Sequence, residues 1–440
     1  MSSGAAPAAP ASADLNRLIF RKLMPLLIAS YIIAFIDRTN IGLAKEHLEA
    51  DLGISAAAFG LGAGLFFVAY ASFEVPSNLI MHRVGARLWI TRIMITWGLL
   101  SAAMAVVQGP ASFYVLRVLL GFAEAGLFPG VMLYLTYWVG REQRARANGY
   151  FLIAVCIANI VGAPLSGALL GLDGVLGWHG WQWMFAIEGI PALLLAFVIF
   201  KFLPDRPADA TWLTAEQAAE LTRRLEAEQQ DGAAASGTHS LAGVFKDKKI
   251  LLVILVYFTH QIAVYSLTYF LPSIIGTWGE MSDFTIGLLT ALPWVAAALG
   301  TTFLPRFADS PARSSRLLVG GMAAMAVGLV IAAVSSAAVA LLGFCLAASC
   351  FFVVQSILFA VPASRLAGVA LAGGLALVNT LGILGGFLGP FVMGLIEDST
   401  GSPLSGLWFV IALVAVGALV SLTLRPQGTA RKAETAKAGA

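Results

Sequence analysis

Twelve apolar runs follow one another along the chain, and each is long enough to cross a lipid bilayer as a helix. About 20 apolar residues span the hydrocarbon layer, where helices keep every backbone polar group satisfied. Only 12% of the residues are charged, whereas a soluble domain carries about 25%. We therefore predict an all-α polytopic membrane protein with spans near 23–44, 58–81, 88–107, 112–138, 147–170, 181–202, 250–277, 285–304, 316–336, 338–361, 368–396 and 404–424.

One long polar segment, residues 203–249, divides these runs into six plus six. Within it, Thr214 and Gln217 have the spacing of a capping box, which predicts an amphipathic helix near 215–229. The predicted order is a disordered cytoplasmic tail (1–22), an N-terminal six-helix bundle (23–202), a cytoplasmic linker (203–249), a C-terminal six-helix bundle (250–424) and a disordered cytoplasmic tail (425–440).

The two halves repeat each other weakly. Small residues four apart occur in the fifth run, at Ala163 and Gly167, and in the eleventh, at Gly385 and Gly389. Such pairs allow close approach of helix backbones. A duplicated six-helix unit is typical of secondary transporters, whose substrate site lies between the halves near the membrane midplane. We therefore expect two pseudo-symmetric bundles.

Basic residues predict the orientation. Of the 27 lysines and arginines, 24 fall in the tails and even-numbered loops; Lys45 lies in the first odd-numbered loop, and Arg38 and Arg117 lie inside spans. Because cytoplasmic loops carry an excess of basic residues, we expect both termini in the cytoplasm.

Several classes of protein are excluded by what the sequence lacks. The three cysteines, Cys156, Cys345 and Cys350, all lie in apolar runs and have no metal-binding spacing. No phosphate-binding loop or catalytic set is recognisable. We expect no enzyme activity, no metal, no cofactor and no nucleic-acid partner, and a monomer in the bilayer.

Ionisable residues inside the apolar runs need a specific explanation, because each costs about 2.5–3.5 kcal/mol to insert. All but one lie in the first half, and the second half offers neutral polar groups: Gln261, Tyr265, Gln355 and Asn379. The ionisable residues are Asp37, Arg38, Glu74, Arg117, Glu124, Glu188 and His260.

Helix geometry relates these residues to one another. With a rise of about 1.5 Å per residue, Asp37 and Arg117 lie at similar depths, about 10 and 8 Å from the outer boundary. An Asp37–Arg117 ion pair is therefore predicted. Asp37 and Arg38 point about 100° apart and each needs its own partner. Glu124 lies two turns beyond Arg117 on the same helix face.

This group of four, Asp37, Arg38, Arg117 and Glu124, has no net charge when all are ionised. Protonation of Glu124, or of Glu124 and Asp37, leaves a net charge of +1 or +2 and two arginines that can bind carboxylates bidentately. The hypothesis is proton–anion symport. The alternatives are ion pairs that only fix helix packing, an exchanger or uniporter, and a membrane sensor without transport activity.

Three further residues have other interpretations. Glu74 is interpreted as a helix-end partner of loop arginines, and Glu188 as a structural hydrogen-bonding residue. His260 is interpreted as a packing residue that could also line the cavity.

Several motifs resemble the anion:cation symporter family of the major facilitator superfamily, nearest to its bacterial tartrate-type organic-acid transporters. They are FIDRTNIGLA (35–44), FEVPSNLI (73–80), GARLWITRIMITWGLLS (85–101), RVLLGFAEAGLFPGVMLYLTYW (117–138), LDGVLGWHGWQWMF (172–185), GWQWMFAIEGIPA (180–192) and LPDRPADATWLT (203–214). The resemblance implies the major facilitator fold in the bacterial inner membrane and import of small organic acids with protons.

The resemblance also assigns roles. Asp37 and Glu124 correspond to proton-coupling carboxylates and Arg38 and Arg117 to buried arginines, all carried over by position. Tyr70 and Asn379 fall at substrate-contacting positions of the family. As a polar group at depth, Gln355 is also expected to contact the substrate, and His260, Gln261 and Tyr265, together with Phe359, are expected to line the cavity. Phe359 stands where relatives often have tryptophan, so an indole N–H donor is missing. The loop motifs that gate such proteins contain Arg83, Gly85, Arg87, Asp309 and Arg313. In the loop between spans 2 and 3, the motif usually has an acidic residue before Arg-x-Gly, and this position is His82. The gating salt bridge that the acidic residue usually forms is therefore not expected in this loop.

Overall fold

The computed structural model describes residues 12–234, 247–366 and 368–424. In these ranges, twelve helical segments are long and apolar enough to cross a membrane, which confirms the predicted number. We call them spans 1 to 12: Asp14–Leu52, Ala56–Val84, Ala86–Val106, Pro110–Leu135, Arg141–Leu170, Gly180–Phe202, Lys248–Gly276, Asp283–Phe307, Pro311–Val334, Ala337–Ala363, Gly373–Thr400 and Pro403–Ser421.

Several spans consist of two helices joined at a bend. The α-helices are Ser12–Thr39, Ile41–Leu52, Ala56–Val84, Ala86–Ala103, Pro110–Glu124, Leu127–Leu135, Arg141–Leu170, Gly180–Phe202, Ala215–Ala234, Lys248–Gly276, Asp283–Phe303, Pro311–Val334, Ala337–Ser349, Phe351–Arg365, Gly368–Ile383, Gly385–Thr400 and Leu407–Ser421. Short 3₁₀ helices are Met104–Val106, Val175–Gly177, Pro207–Asp209, Leu304–Phe307 and Pro403–Gly406.

Span 1 is longer at both ends than predicted. Residues 12–22, assigned to a disordered tail, are helical. Leu15, Ile19 and Leu23 are buried at helical spacing on this extension, so this apolar face packs against the protein, while Asp14, Arg17, Arg21 and Lys22 are exposed. At the other end, Lys45 lies in the helix Ile41–Leu52 rather than in a loop.

The spans alternate in direction, so both ends of the described chain and the linker helix Ala215–Ala234 lie at one face, here called the terminal face. The other is called the opposite face. Spans 2 and 11, and spans 5 and 8, pack against each other across the two halves. Span 1 continues along span 7 through Ile41–Leu52. The halves are therefore joined along several helix pairs.

These cross-half contacts are tightest toward the opposite face, where small residues let the backbones touch. A Cβ atom on Gly60 would lie 2.3 Å from the carbonyl oxygen of Pro390, and one on Gly287 would lie 2.3 Å from that of Ala163. A Cβ on Gly167 would lie 2.4 Å from the carbonyl oxygen of Asp283. The close approach predicted for Ala163 and Gly167 is thus confirmed, and the opposite face is closed.

The linker begins as predicted. The Thr214 N–H donates to Gln217 Oε1 at 3.0 Å, and the Gln217 N–H donates to Thr214 Oγ1 at 3.2 Å, which completes the capping box at the start of Ala215–Ala234. Trp212 stacks on Trp138 with ring centroids 5.6 Å apart. Because Glu228 also accepts a hydrogen bond from the Arg141 N–H at 2.8 Å, the linker helix docks on the first half.

Candidate functional site

A cavity of about 210 Å³ lies between the two halves. Its wall is made by spans 1, 2, 4 and 5 of the first half and spans 7, 8, 10 and 11 of the second. Eight residues singled out from the sequence line it: Arg38, Tyr70, Glu124, Gln261, Tyr265, Gln355, Phe359 and Asn379. Asp37, Arg117 and His260 are not part of this lining.

An ion pair between Arg38 and Glu124 is the charged feature of the lining. Arg38 Nη2 contacts Glu124 Oε1, and both side chains are almost fully buried. Arg38 Nη1 also donates to the Tyr265 hydroxyl at 3.5 Å. Since these three residues belong to spans 1, 4 and 7, the guanidinium joins both halves at the cavity wall.

Aromatic rings surround the same guanidinium. The carbon of the Arg38 guanidinium lies 4.6 Å from the ring centroid of Phe35 and 5.2 Å from those of Phe66 and Tyr70. The faces of these rings attract a cation. They hold the Arg38 head group in place while its Nε atom lacks a hydrogen-bond partner.

Asp37 points into the first half rather than into the cavity. Its Oδ2 accepts a hydrogen bond from Trp97 Nε1 at 2.7 Å, whereas its Oδ1 has no hydrogen-bond partner. The predicted Asp37–Arg117 ion pair is wrong. The two residues were placed by depth along their helices, but the direction around span 1 turns Asp37 toward span 3. Asp37 and Arg38 do have separate partners, as expected.

Arg117 is buried against span 2. Its Nε donates to the Gly62 carbonyl oxygen at 3.4 Å, and its guanidinium lies 4.8 Å from the ring centroid of Phe66. Its Nη2 atom is buried without a hydrogen-bond partner. In this conformation it therefore contacts backbone and aromatic groups and does not face the cavity.

Glu74 bonds across the two halves, so its interpretation as a helix-end partner of loop arginines is wrong. Asn379 Nδ2 of span 11 donates to Glu74 Oε1 at 2.9 Å and to Oε2 at 3.1 Å. The Glu74 side chain is buried. Asn379 lines the cavity on its terminal side. This bond therefore connects span 11 of the second half to span 2 of the first half beside the cavity.

Two other buried residues act as the sequence indicated. Glu188 accepts hydrogen bonds from Asn40 Nδ2 and from Ser166 Oγ, both at 2.7 Å, in agreement with a hydrogen-bonding role. His260 packs in the second half: one ring nitrogen lies 3.0 Å from Gln261 Oε1 and the other 2.8 Å from the Phe351 carbonyl oxygen. The second interpretation of His260, as a cavity residue, is not supported.

At the loop between spans 2 and 3, the carboxylate that contacts Arg87 comes from a distant part of the chain. Asp205, just after span 6, accepts the Arg87 N–H at 2.8 Å and lies 3.8 Å from Arg87 Nε. Gly85 has φ +94, and a Cβ there would lie 2.8 Å from Asp205 Oδ1. Arg83 is exposed. At the loop between spans 8 and 9, Asp309 pairs with Arg313 four residues later.

Sequence reasoning missed part of the wall. Asn148, Leu152, Val155 and Asn159 of span 5 all line the cavity. Their spacing of four, three and four residues places them on one helix face, so the two amides on that face could have been recognised as a polar stripe. The other missed polar lining residues are Tyr31, Thr39, Tyr257, Thr268 and Ser356.

Comparison with known proteins agrees with this architecture. The family model described as Major Facilitator Superfamily matches residues 27–379. A "Putative tartrate transporter" of Agrobacterium vitis is 42% identical and aligns over 93% of this chain and 92% of its own. A "Quinolone resistance transporter" of Acinetobacter baumannii is 40% identical over 96% and 97% of the two chains. The "Inner membrane transport protein RhmT" of Escherichia coli is 37% identical over 94% and 96%.

A crystal structure of a D-xylose-proton symporter resembles the whole fold, with a TM-score of 0.76 over 93% of this chain and 99% of the other. The two sequences are 15% identical. This likeness therefore concerns the arrangement of the helices and not the residues of the cavity.

Proposed function

Because the chain belongs to the major facilitator superfamily and is therefore a secondary transporter rather than an enzyme, we propose that it imports a small organic acid anion together with protons. The substrate class is a hydroxy-dicarboxylate of the tartrate type or a related carboxylate. A relative with 42% identity carries a tartrate-transporter name. The proposal rests on the Arg38–Glu124 ion pair in the cavity wall.

This ion pair couples two binding events. With both residues ionised, Arg38 is neutralised by Glu124 and offers a carboxylate no net attraction. When Glu124 takes up a proton, the planar Arg38 fork is free to bind a carboxylate bidentately. A proton on Glu124 and an anion on Arg38 therefore favour each other, and this mutual preference is what symport requires.

The rest of the lining suits a small, hydroxylated acid. Gln261, Gln355 and Asn379 present amides, and Tyr70 and Tyr265 present hydroxyls. These groups donate and accept hydrogen bonds without adding charge. The cavity volume of about 210 Å³ is below the ~300–1,000 Å³ of pockets for drug-sized ligands. Both features favour a compact organic acid over a drug-sized substrate.

The conformation supports a transport cycle with alternating access. Tight backbone contacts close the opposite face, and the cavity wall extends toward the terminal face as far as Asn148 and Phe359. The distribution of basic residues favours a cytoplasmic terminal face, in the bacterial inner membrane. On that orientation the conformation faces inward, and Asp37 and Arg117 reach the substrate path only if the helices rearrange.

The test uses purified protein in liposomes with an imposed pH gradient. Glu124→Gln should abolish uptake driven by the gradient and leave exchange of substrate across the membrane measurable. The matched control is Glu216→Gln, which alters an exposed carboxylate of the linker helix. Wild-type pH dependence in Glu124→Gln contradicts the proposal.

Two more results bear on the alternatives. Accumulation of organic acid against its own gradient supports symport, whereas uptake that requires internal substrate identifies an exchanger. A thermal-shift screen of organic acids at acidic and neutral pH identifies the substrate, because ligands of the coupled state should stabilise the protein more at acidic pH. Stronger stabilisation by organic cations or neutral sugars contradicts the anion assignment.

A further inference from the structure

Arg92 lies on the outer face of span 3, away from the cavity. Span 3 begins at Ala86 on the terminal side, and Arg92 is about 9 Å further along the helix axis. Leu88, Ile95 and Leu99 are exposed, and their spacing places them on the same helix face as Arg92. We call these four residues the Arg92 stripe. It presents one cation among apolar side chains that face the lipid acyl chains.

The protein leaves most of this guanidinium without a partner. Among the described residues, no carboxylate pairs with Arg92, and its Nη1 donates a long hydrogen bond of 3.5 Å to Thr96 Oγ1. Its Nε atom is buried without a hydrogen-bond partner, and Nη2 has none within the described ranges. A charged side chain inside a membrane span is costly unless it is paired. The acceptor that Arg92 lacks must therefore come from outside the chain.

Trp89 fixes the orientation of the Arg92 head group. The carbon of the Arg92 guanidinium lies 3.9 Å from the ring centroid of Trp89. The indole is itself held in place, because its Nε1 donates to Ser77 Oγ of span 2 at 3.0 Å. Stacking on an aromatic ring occupies the flat face of a guanidinium and leaves the N–H groups at its edge available. Tryptophan also favours the boundary between membrane and water, where lipid headgroups lie.

Further arginines lie close to the Arg92 stripe at the terminal face. Arg83 is exposed in the last turn of span 2. Arg87 is also exposed and lies about 7.5 Å from Arg92 along the axis of span 3. Asp205, 3.8 Å from Arg87 Nε, is the acid that pairs with this group. Three arginines and one aspartate leave a net positive charge, which attracts anionic lipids to a membrane surface.

We propose that Arg92 binds the phosphodiester headgroup of an anionic phospholipid, whose acyl chain runs along Ile95 and Leu99. A phosphate accepts parallel hydrogen bonds from the edge of an arginine fork, and it supplies the acceptor that the protein does not. The Arg92 stripe continues toward the opposite face with exposed apolar residues only. A charged head beside an apolar tail matches this arrangement, whereas a free phosphate ion would contact Arg92 alone.

The test is native mass spectrometry of the purified full-length protein titrated with a defined lipid. Wild type should bind phosphatidylglycerol, which carries a net negative charge, more tightly than phosphatidylcholine, which has the same phosphodiester but no net charge. Arg92→Gln should weaken phosphatidylglycerol binding by at least about fivefold, the contribution of one arginine near a membrane surface. It should change phosphatidylcholine binding less.

Two more variants separate a specific site from general attraction. Arg92→Lys keeps the charge but loses the planar fork, so its affinity for phosphatidylglycerol should lie between those of the wild type and Arg92→Gln. This variant also serves if Arg92→Gln does not fold. The matched control is Arg223→Gln, which removes the same charge from an exposed position on the linker helix and should bind phosphatidylglycerol as the wild type does. Unchanged affinity in both Arg92 variants, or an equal loss in Arg223→Gln, overturns the proposal.

The same samples distinguish a lipid from other occupants of this face. Phosphatidylglycerol should raise the midpoint of thermal unfolding more in the wild type than in Arg92→Gln, and inorganic phosphate should not. Equal stabilisation by inorganic phosphate through Arg92 would identify a site for a free anion, and a dimer that requires Arg92 would identify a second copy of the chain. Either result contradicts the lipid assignment. Because Arg92 is not part of the cavity lining, these results are independent of the proposed substrate.

Discussion

Lys45 and Glu397 form an ion pair that joins the two halves toward the opposite face, with Lys45 Nζ 2.8 Å from Glu397 Oε1. The Lys45 side chain is fully buried, and Glu46 provides a second carboxylate oxygen at 3.0 Å from the same Nζ. Lys45 lies in Ile41–Leu52, the second helix of span 1, and Glu397 lies near the end of span 11. The pair therefore closes the side of the molecule where the helix backbones also touch.

Lys45→Met should open the opposite face. Loss of one partner leaves the Glu397 carboxylate buried without its cation, which is relieved when the halves separate and water enters. We expect at least a tenfold faster reaction of a cysteine at Thr268 with an impermeant thiol reagent added at that face, because about 1.4 kcal/mol suffices for a tenfold change. The measurement is the labelling rate in a background without native cysteines.

The matched control for this experiment is Lys201→Met, which removes an exposed lysine at the end of span 6. It should leave the labelling rate unchanged. Equal labelling rates in Lys45→Met and in Lys201→Met would show that the ion pair does not hold the face closed.

Glu74→Leu should loosen the terminal side of the cavity. The bond from Asn379 to both Glu74 oxygens crosses the two halves, and Leu offers no acceptor. A typical net hydrogen bond of about 0.5–1.5 kcal/mol corresponds to a two- to tenfold faster labelling of a cysteine at Ser356 from the terminal face. Glu74→Gln keeps one oxygen acceptor and should change the rate less. The same rate in Glu74→Leu as in the wild type would exclude this role.

Sequence reasoning predicted the span number because every helix that crosses the bilayer needs a run of about 20 apolar residues. It also selected eight residues of the wall, since a polar group inside an apolar run has few functions other than lining a cavity or pairing. Arg38, Glu124 and Asn379 were recognised one by one in this way. These predictions needed only the chain and the physics of the membrane.

Which residues pair with each other was harder to predict than which residues line the cavity. Glu74 and Asn379 are 305 residues apart, and no local pattern relates them. Depth along a helix could be counted, but the direction of Asp37 toward Trp97 depends on how span 1 rotates against span 3. Asp205 was quoted only as part of a motif, because its place beside Arg87 follows from the return of the chain after span 6.

Arg38→Lys should weaken binding of the organic acid while retaining the positive charge. Lysine cannot present the planar fork that binds a carboxylate through two hydrogen bonds. A lost charge-assisted hydrogen bond of about 1.5–3 kcal/mol predicts an increase in Kd of about 10- to 100-fold, measured by calorimetry at acidic pH. Arg92→Lys, outside the cavity lining, is the control. Unchanged affinity in Arg38→Lys contradicts a direct contact.

Gly287→Ala and Gly320→Ala should have opposite effects on thermal stability. A Cβ on Gly287 would lie 2.3 Å from the Ala163 carbonyl oxygen across the two halves, whereas one on Gly320 would meet no atom within 4 Å. The first variant forces spans 5 and 8 apart, at a cost of about 1–3 kcal/mol. The second replaces a flexible residue in a helix and gains about 0.5–1 kcal/mol.

The measurement is the midpoint of thermal unfolding in lipid nanodiscs, with the Thr268 cysteine labelled in parallel. If Gly287→Ala lowers the midpoint and also speeds labelling from the opposite face, the backbone contact between spans 5 and 8 helps to close that face. A lowered midpoint without faster labelling would restrict the contact to helix packing. A lower midpoint in Gly320→Ala than in Gly287→Ala would contradict the packing described for span 9 and span 8.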